Sequence, residues 1–237
     1  MRNTWTIAVK ELRSFFVSPV GYVALAFWLF GVGLFFALGV LQNKQASMQD
    51  WFGTVEVLLL FIGPALTMRL LAEEQRTGTM EVLMTSPVRE WEVVLGKFLG
   101  TVIFWIVMVA VTLFYPLILK GLGNPDMGPI FSGYLGLLLM GASFLAIGVF
   151  TSSLSSNQVI AYIIAFVVLL GLWIIGYLTP VFPSTASGLL SALSVTSHFD
   201  DFGKGVVDLA NILFYLSIVA AALFATVQIL ETRRARL

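Results

Sequence analysis

Six long, almost uncharged stretches of Leu, Val, Ile, Phe, Ala and Gly divide this chain: Val20 to Leu41, Val55 to Leu71, Phe98 to Leu119, Ile130 to Phe150, Val159 to Leu178 and Leu209 to Leu230. Crossing about 30 Å of hydrocarbon takes about 20 apolar residues as a helix, because only a helix or a closed barrel pairs every backbone polar group internally. The predicted fold is therefore all-α: a polytopic membrane protein of six transmembrane helices. Apolar residues make up 59% of the chain and charged residues 11%, against about 45–50% and about 25% in soluble domains. With 237 residues and no long polar block, 1–237 reads as a single transmembrane domain. The formal net charge of zero speaks against a nucleic acid partner. Cysteine is absent, which excludes a disulfide framework, a thiolate metal site and a thiol nucleophile.

The second span is the shortest and carries Gly63-Pro64 near its middle. Proline removes one ladder hydrogen bond, so a kink is expected there. Positive charge next to spans is retained in the cytoplasm. One face receives Arg2, Lys10, Arg13, Arg69, Arg76, Arg89, Lys97, Arg233, Arg234 and Arg236, and the other only Lys44, Lys120 and Lys204. Both termini are thus expected to be cytoplasmic.

Residues 1–18 mix charge through what a cleavable signal would keep apolar, and read instead as an interfacial amphipathic helix. Trp5, Ala8, Val9, Leu12, Phe15 and Phe16 follow helical spacing, while Asn3, Thr6, Lys10 and Arg13 repeat on the opposite face beside Glu11. Trp5, Lys10, Glu11 and Arg13 are the candidate interfacial residues, with the ring at headgroup level and the bases toward anionic lipid. Between spans 4 and 5 the loop "TSSLSSNQ" is short and uncharged, which predicts close neighbours. Residues 180–207 are too long for a turn and too interrupted to span, and predict an external helical cap before the sixth span.

Little in the spans resembles a reaction centre. Glu56 and Asp208 fall at predicted outer ends and Arg69 near an inner end, where hydration is the expected state of each. His198 stands beside Asp200 and Asp201, but one His and two adjacent acids do not match a metal-ligand spacing. That segment is expected to cap the start of span 6, with Phe199 and Phe202 in the membrane interface and the acids in water. Gly96-Lys97 and Gly203-Lys204 lack the glycine and hydroxyl positions of a phosphate-cradling loop. No catalytic residue, no metal and no bound cofactor are predicted, and any ATP must be hydrolysed by another chain.

The exception to this reticence is a two-signed island over residues 72–97. Thr77-Gly78-Thr79 offers a break and a hydroxyl cap, "MEVLMT" a helix of less than two turns with Met80, Leu83 and Met84 apolar, and Ser86-Pro87 a restart. An exposed Met/Leu knob flanked by charges of both signs suits a hydrophobic groove in a partner. Gly96 and Gly100 have the spacing of a close-packing motif, expected within the bundle.

The run Glu73-Glu74-Gln75-Arg76-Thr77-Gly78-Thr79-Met80-Glu81-Val82-Leu83-Met84-Thr85-Ser86-Pro87, with Gly96-Lys97 following, resembles the segment after the second span in ABC-2 type export permeases. The stretch "SVTSHFDDFGKGVVDLANILFYLS" is most similar to the branch associated with gliding motility. The resemblance implies a permease of a bacterial inner (cytoplasmic) membrane, driven by a cytoplasmic ABC ATPase subunit that binds ATP and Mg. It implies a coupling helix at about Thr79 to Thr85. Glu73, Glu74, Arg76, Thr77, Gly78, Thr79, Glu81, Leu83, Ser86 and Pro87 would form the ATPase-coupling segment. It further implies a second permease copy or a related permease, and admits a companion membrane protein with an external domain. A membrane-embedded enzyme and a non-transporting scaffold or assembly factor are the competing classes. The cargo is not legible, although Phe- and Leu-rich spans suit a lipidic or amphipathic one.

Overall fold

The computed structural model describes residues 2–43, 47–80, 88–178, 188 and 191–234. Among them the helices are α1 (Arg2–Val17), α2 (Pro19–Asn43), α3 (Gln49–Thr67), α4 (Ala72–Thr77) and α5 (Glu90–Thr112), followed by α6 (Phe114–Leu122), α7 (Met127–Leu154), α8 (Gln158–Leu178), α9 (Val195–Gly203) and α10 (Leu209–Arg234). Six helical runs are long and apolar enough to cross a membrane: α2, α3 with α4, α5 with α6, α7, α8 and α10. This is the all-α, six-span architecture expected from the apolar stretches. Asn3 of α1 donates to Glu92 at the start of α5, and Arg234 at the end of α10 pairs with Glu90, two residues before Glu92. Both described chain ends therefore meet at one end of the bundle, here called the terminal end; the other is the distal end.

The core is organised around α7, which packs against α3, α5, α8, α9 and α10. Leu137, Met140, Phe144 and Leu145 are fully buried along it. Its glycines accept large partners: Gly133 faces the Phe52 ring, Gly136 that of Phe202 and Gly141 the Trp105 indole, each closer than any Cβ would tolerate. Helix interiors disfavour glycine in water, but here each missing side chain is the space into which a neighbour's ring fits. Two buried indoles on other helices donate to backbone carbonyls. Trp28 donates to Met108 at 3.2 Å and Trp51 to Val32 at 3.0 Å, tying α2 to α5 and α3 to α2. The α7–α8 connection brings these helices together as the short loop predicts.

Several sequence expectations change in the folded bundle. The second span starts at Gln49 rather than Val55, because Trp51 and Phe52 are themselves core residues. Glu56, expected to be hydrated at a helix end, is consequently about two turns inside α3 and only 4% exposed. Pro64 lies within α3 without ending it; the interruption comes at residues 68–71, after Thr67 has turned its hydroxyl back to the Gly63 carbonyl at 2.9 Å. The third span extends from Glu90 to Leu122 with a break at Leu113.

α1 carries not one apolar face but two. Ala8 and Phe15 are buried against the bundle together with Thr4, whereas Trp5, Val9 and Phe16 are exposed. Thr4 and Ala8 fit the closest helix contact, Phe15 stacks on Phe104 of α5, and Trp5, Val9 and Phe16 are left for lipid.

Phe199 and Phe202, expected at the membrane interface, are core residues, 2% and 0% exposed. They lie on α9, which dips into the distal mouth. Its N-cap Ser194 accepts from the Ser197 amide at 3.1 Å. Ser132 of α7 donates to the Phe202 carbonyl at 2.6 Å, and Tyr215 of α10 to the Val195 carbonyl at 2.8 Å. His198 stacks on Phe214 at 3.8 Å and places Nδ1 2.7 Å from the Ser194 carbonyl oxygen. Asp201 accepts from Asn211 at 3.0 Å while Asp200 is exposed.

Candidate functional site

The charged island does not hang free. Where α3 ends, the amides of Leu71 and Ala72 both donate to the Ser152 hydroxyl at 3.1 Å, and that hydroxyl donates to the Met68 carbonyl at 3.1 Å. One fully buried serine on α7 thus satisfies backbone groups on both sides of the 68–71 interruption and sets the direction in which α4 leaves. Ser152→Ala would strand two buried amides, each a loss of about 1–3 kcal/mol. We expect a clear fall in the thermal unfolding midpoint of the detergent-solubilised protein; an unchanged midpoint would show that the amides have another acceptor.

α4 presents Glu74 to Lys97 of α5, with Oε1 and Nζ 2.7 Å apart, and Lys97 also pairs with Glu11 of α1 at 3.5 Å. The lysine side chain is 6% exposed and its two carboxylate partners 21% and 13%. One ammonium therefore joins α1, α4 and α5. The reach of Glu11 depends on α5 being smooth: a Cβ on Gly96 would lie 2.9 Å from the Thr4 carbonyl oxygen, and one on Gly100 2.7 Å from that of Ala8. The close packing expected of these glycines is therefore within the bundle, against α1. Beside this triad Arg69 lays its guanidinium over the Phe15 ring, 4.7 Å from the centroid, and donates to Ser18 at 3.0 Å. A cleft of about 560 Å³ runs between these groups, with Lys10, Arg69, Glu73, Glu74, Thr79 and Lys97 on its walls.

Gly78 ends α4 at φ +73°, in the left-handed region that glycine enters without a Cβ penalty. Thr77 donates to the Glu73 carbonyl at 2.9 Å, and its oxygen lies 2.9 Å from that of Thr79 across the glycine. The chain turns helical again at Thr79 and Met80, with Met80 buried. Glu81, Leu83, Ser86 and Pro87, and with them most of the predicted short helix, lie outside the described residues. Past this gap, the Arg89 amide donates to the Glu92 carboxylate at 3.2 Å, at the start of α5. The last helix is fastened to the same place: Gln75 and Arg233 both donate to the Ser153 carbonyl at 3.0 Å.

Of the residues singled out in the sequence, Glu73, Arg76, Thr77 and Thr79 are exposed, Glu74 and Glu11 are in the triad, Lys10 is exposed on the cleft wall, and Trp5 and Arg13 are exposed on α1. Sequence reasoning missed Lys97 as the hub, together with Ser152 and the stacked Arg69. The Gly96-Lys97 pair and the Gly100 spacing were the only local hint. Among the described residues the site offers no nucleophile poised on a base. It is a junction of ion pairs and hydrogen bonds that ties α4 to α1, α5 and α7.

Six helices long and apolar enough to cross a membrane, with a charged segment fastened to them at the terminal end, define a multi-pass membrane protein. Residues 41–230 match the ABC-2 family transporter proteins, and the chain belongs to that family, whose members are transport permeases and not themselves enzymes. The chain is 26% identical to the probable multidrug ABC transporter permease YbhR of Escherichia coli K12, over 70% of this chain and 48% of the relative, and equally so to that of Escherichia coli O157:H7. It spans about half the length of the curated relatives it matches.

Proposed function

We propose that this chain is the membrane-spanning subunit of an ATP-driven exporter in a bacterial inner membrane, with both termini and the joint on the cytoplasmic side. The observation that carries the reading is the Glu74–Lys97–Glu11 triad. It ties the base of the segment Thr79 to Thr85 to the N-terminal helix, so a push on that segment moves the bundle. A cytoplasmic ABC ATPase, holding ATP and Mg, is the proposed source of the push, with Glu81, Leu83, Ser86 and Pro87 as its contacts and Arg76 and Glu73 on the flank. Six spans make half of such a transporter, so a second copy or a related permease completes it. The family match and the relatives do not extend to the gliding-motility branch, so a companion membrane protein with an external domain rests on the likeness of residues 194–217 alone. The relatives, named as probable multidrug permeases, favour a drug-like cargo.

The test is purification of the tagged protein from its native membrane in mild detergent, comparing wild type with Leu83→Lys. An ATP-binding subunit is expected to co-purify with wild type and to be reduced at least tenfold with the variant, while membrane insertion stays unchanged. Equal recovery from both would remove Leu83 from the interface. No ATPase under several extraction conditions would favour a scaffold over a transporter.

A further inference from the structure

The distal end holds a second cavity, remote from the joint. It has a volume of about 410 Å³ and opens between α3, α8 and α9. Glu56 lies in its wall, 4% exposed, and Phe52, Tyr177 and Phe199 supply aromatic surface around it. Phe52 and Phe199 are themselves buried and meet edge to face at 6.2 Å. Asp200 and Lys204, both exposed, stand at the rim one helical turn apart, where their charges offset each other. Glu56 is thus the deep carboxyl group, and among the described residues no Lys or Arg forms an ion pair with it.

A carboxylate this far from water, without a basic partner, is costly to keep within a membrane helix and marks a functional position. The aromatic wall narrows what can satisfy it. Ring faces attract cations, and aromatic surfaces are a recurrent means of recognising quaternary ammonium ligands, whose weakly hydrated charge is easily taken out of water. A small hard cation instead asks for about six or more oxygen ligands, commonly several carboxylates, and among the described residues no group of three or more His, Cys, Asp or Glu is placed to hold one. The volume falls within the range of about 300–1,000 Å³ typical of sites for drug-sized ligands.

We propose that this cavity binds an organic cation with apolar substituents, the Glu56 carboxylate serving as counter-charge and Phe52, Tyr177 and Phe199 enclosing the hydrophobic body. Binding here requires neither ATP hydrolysis nor the ATPase partner, so the site stands or falls separately from the exporter reading.

The experiment is equilibrium dialysis of the purified full chain in lipid nanodiscs against radiolabelled tetraphenylphosphonium, with empty nanodiscs subtracted for partitioning. Wild type is expected to show a saturable component, weakened at least tenfold by Glu56→Gln. Gly53→Phe fills the same cavity without touching the acid, since nothing lies within 4 Å of a Cβ at Gly53; it is expected to weaken binding to a similar degree. Tetraphenylborate, alike in shape and opposite in charge, is expected to show no saturable component. An absent saturable component in wild type, an unchanged Kd in Gly53→Phe, or saturable binding of the borate would each overturn the proposal. If Glu56→Gln does not fold, the Gly53→Phe and borate arms decide it.

Discussion

Lys97→Met is expected to unfasten three helices at once. The substitution retains most of the side-chain volume but leaves Glu74 and Glu11 facing each other without the ammonium between them. Removing one member of a buried ion pair strands the others, and losses of about 3–5 kcal/mol are usual. The thermal midpoint in detergent should fall by more than for any exposed lysine; Lys120→Met, at an exposed position, is the control. Adding Glu74→Leu and Glu11→Leu to Lys97→Met should recover much of the stability, because an all-apolar triad strands no charge. ATPase-coupled transport should not recover with it, since an apolar contact lacks the charge-specific geometry joining α4 to α1. A triple variant that regains both would show that the joint is only packing.

Gly100→Leu should separate α1 from the bundle. Its Cβ would meet the Ala8 carbonyl oxygen at 2.7 Å and the Leu12 amide nitrogen at 3.3 Å, which are backbone atoms that no rotamer change can clear. Overpacking commonly costs about 1–3 kcal/mol, and a whole side chain against a helix backbone belongs at the upper end. The same change at Gly121, where no atom lies within 4 Å of a Cβ, should stay within about 0.5 kcal/mol of wild type. Thermal midpoints of the two variants, with protease accessibility of the first 18 residues, would separate these outcomes. Equal midpoints and equal cleavage would mean that α1 is not held by this contact.

Much of the fold was legible in the chain. The six spans and their order, the helix before them and the break at Gly78 follow from apolar run length, two-sided charge and glycine placement. The joint was legible only in part. Glu73 to Thr79 stood out because charge is scarce elsewhere, yet Lys97, its hub, looked like another basic residue flanking a span. Its role depends on Glu11, 86 positions earlier, and a pairing over that distance leaves no periodic trace. Glu56 was misplaced for a related reason. Hydropathy put the helix start too late, because Gln49, Asp50 and Gly53 dilute a stretch whose Trp51 and Phe52 are core residues.

The sequence alone therefore determined that this is an all-helical, six-span membrane protein with one charged segment between its second and third spans, because about 20 apolar residues in lipid have no other stable backbone arrangement. Which faces meet was decided only by tertiary packing. In lipid both sides of a span are apolar, so the choice rests on shape and on the few polar groups. Here it rests on Gly96 and Gly100 admitting α1, Gly136 admitting Phe202, and Ser152 turning the chain into α4.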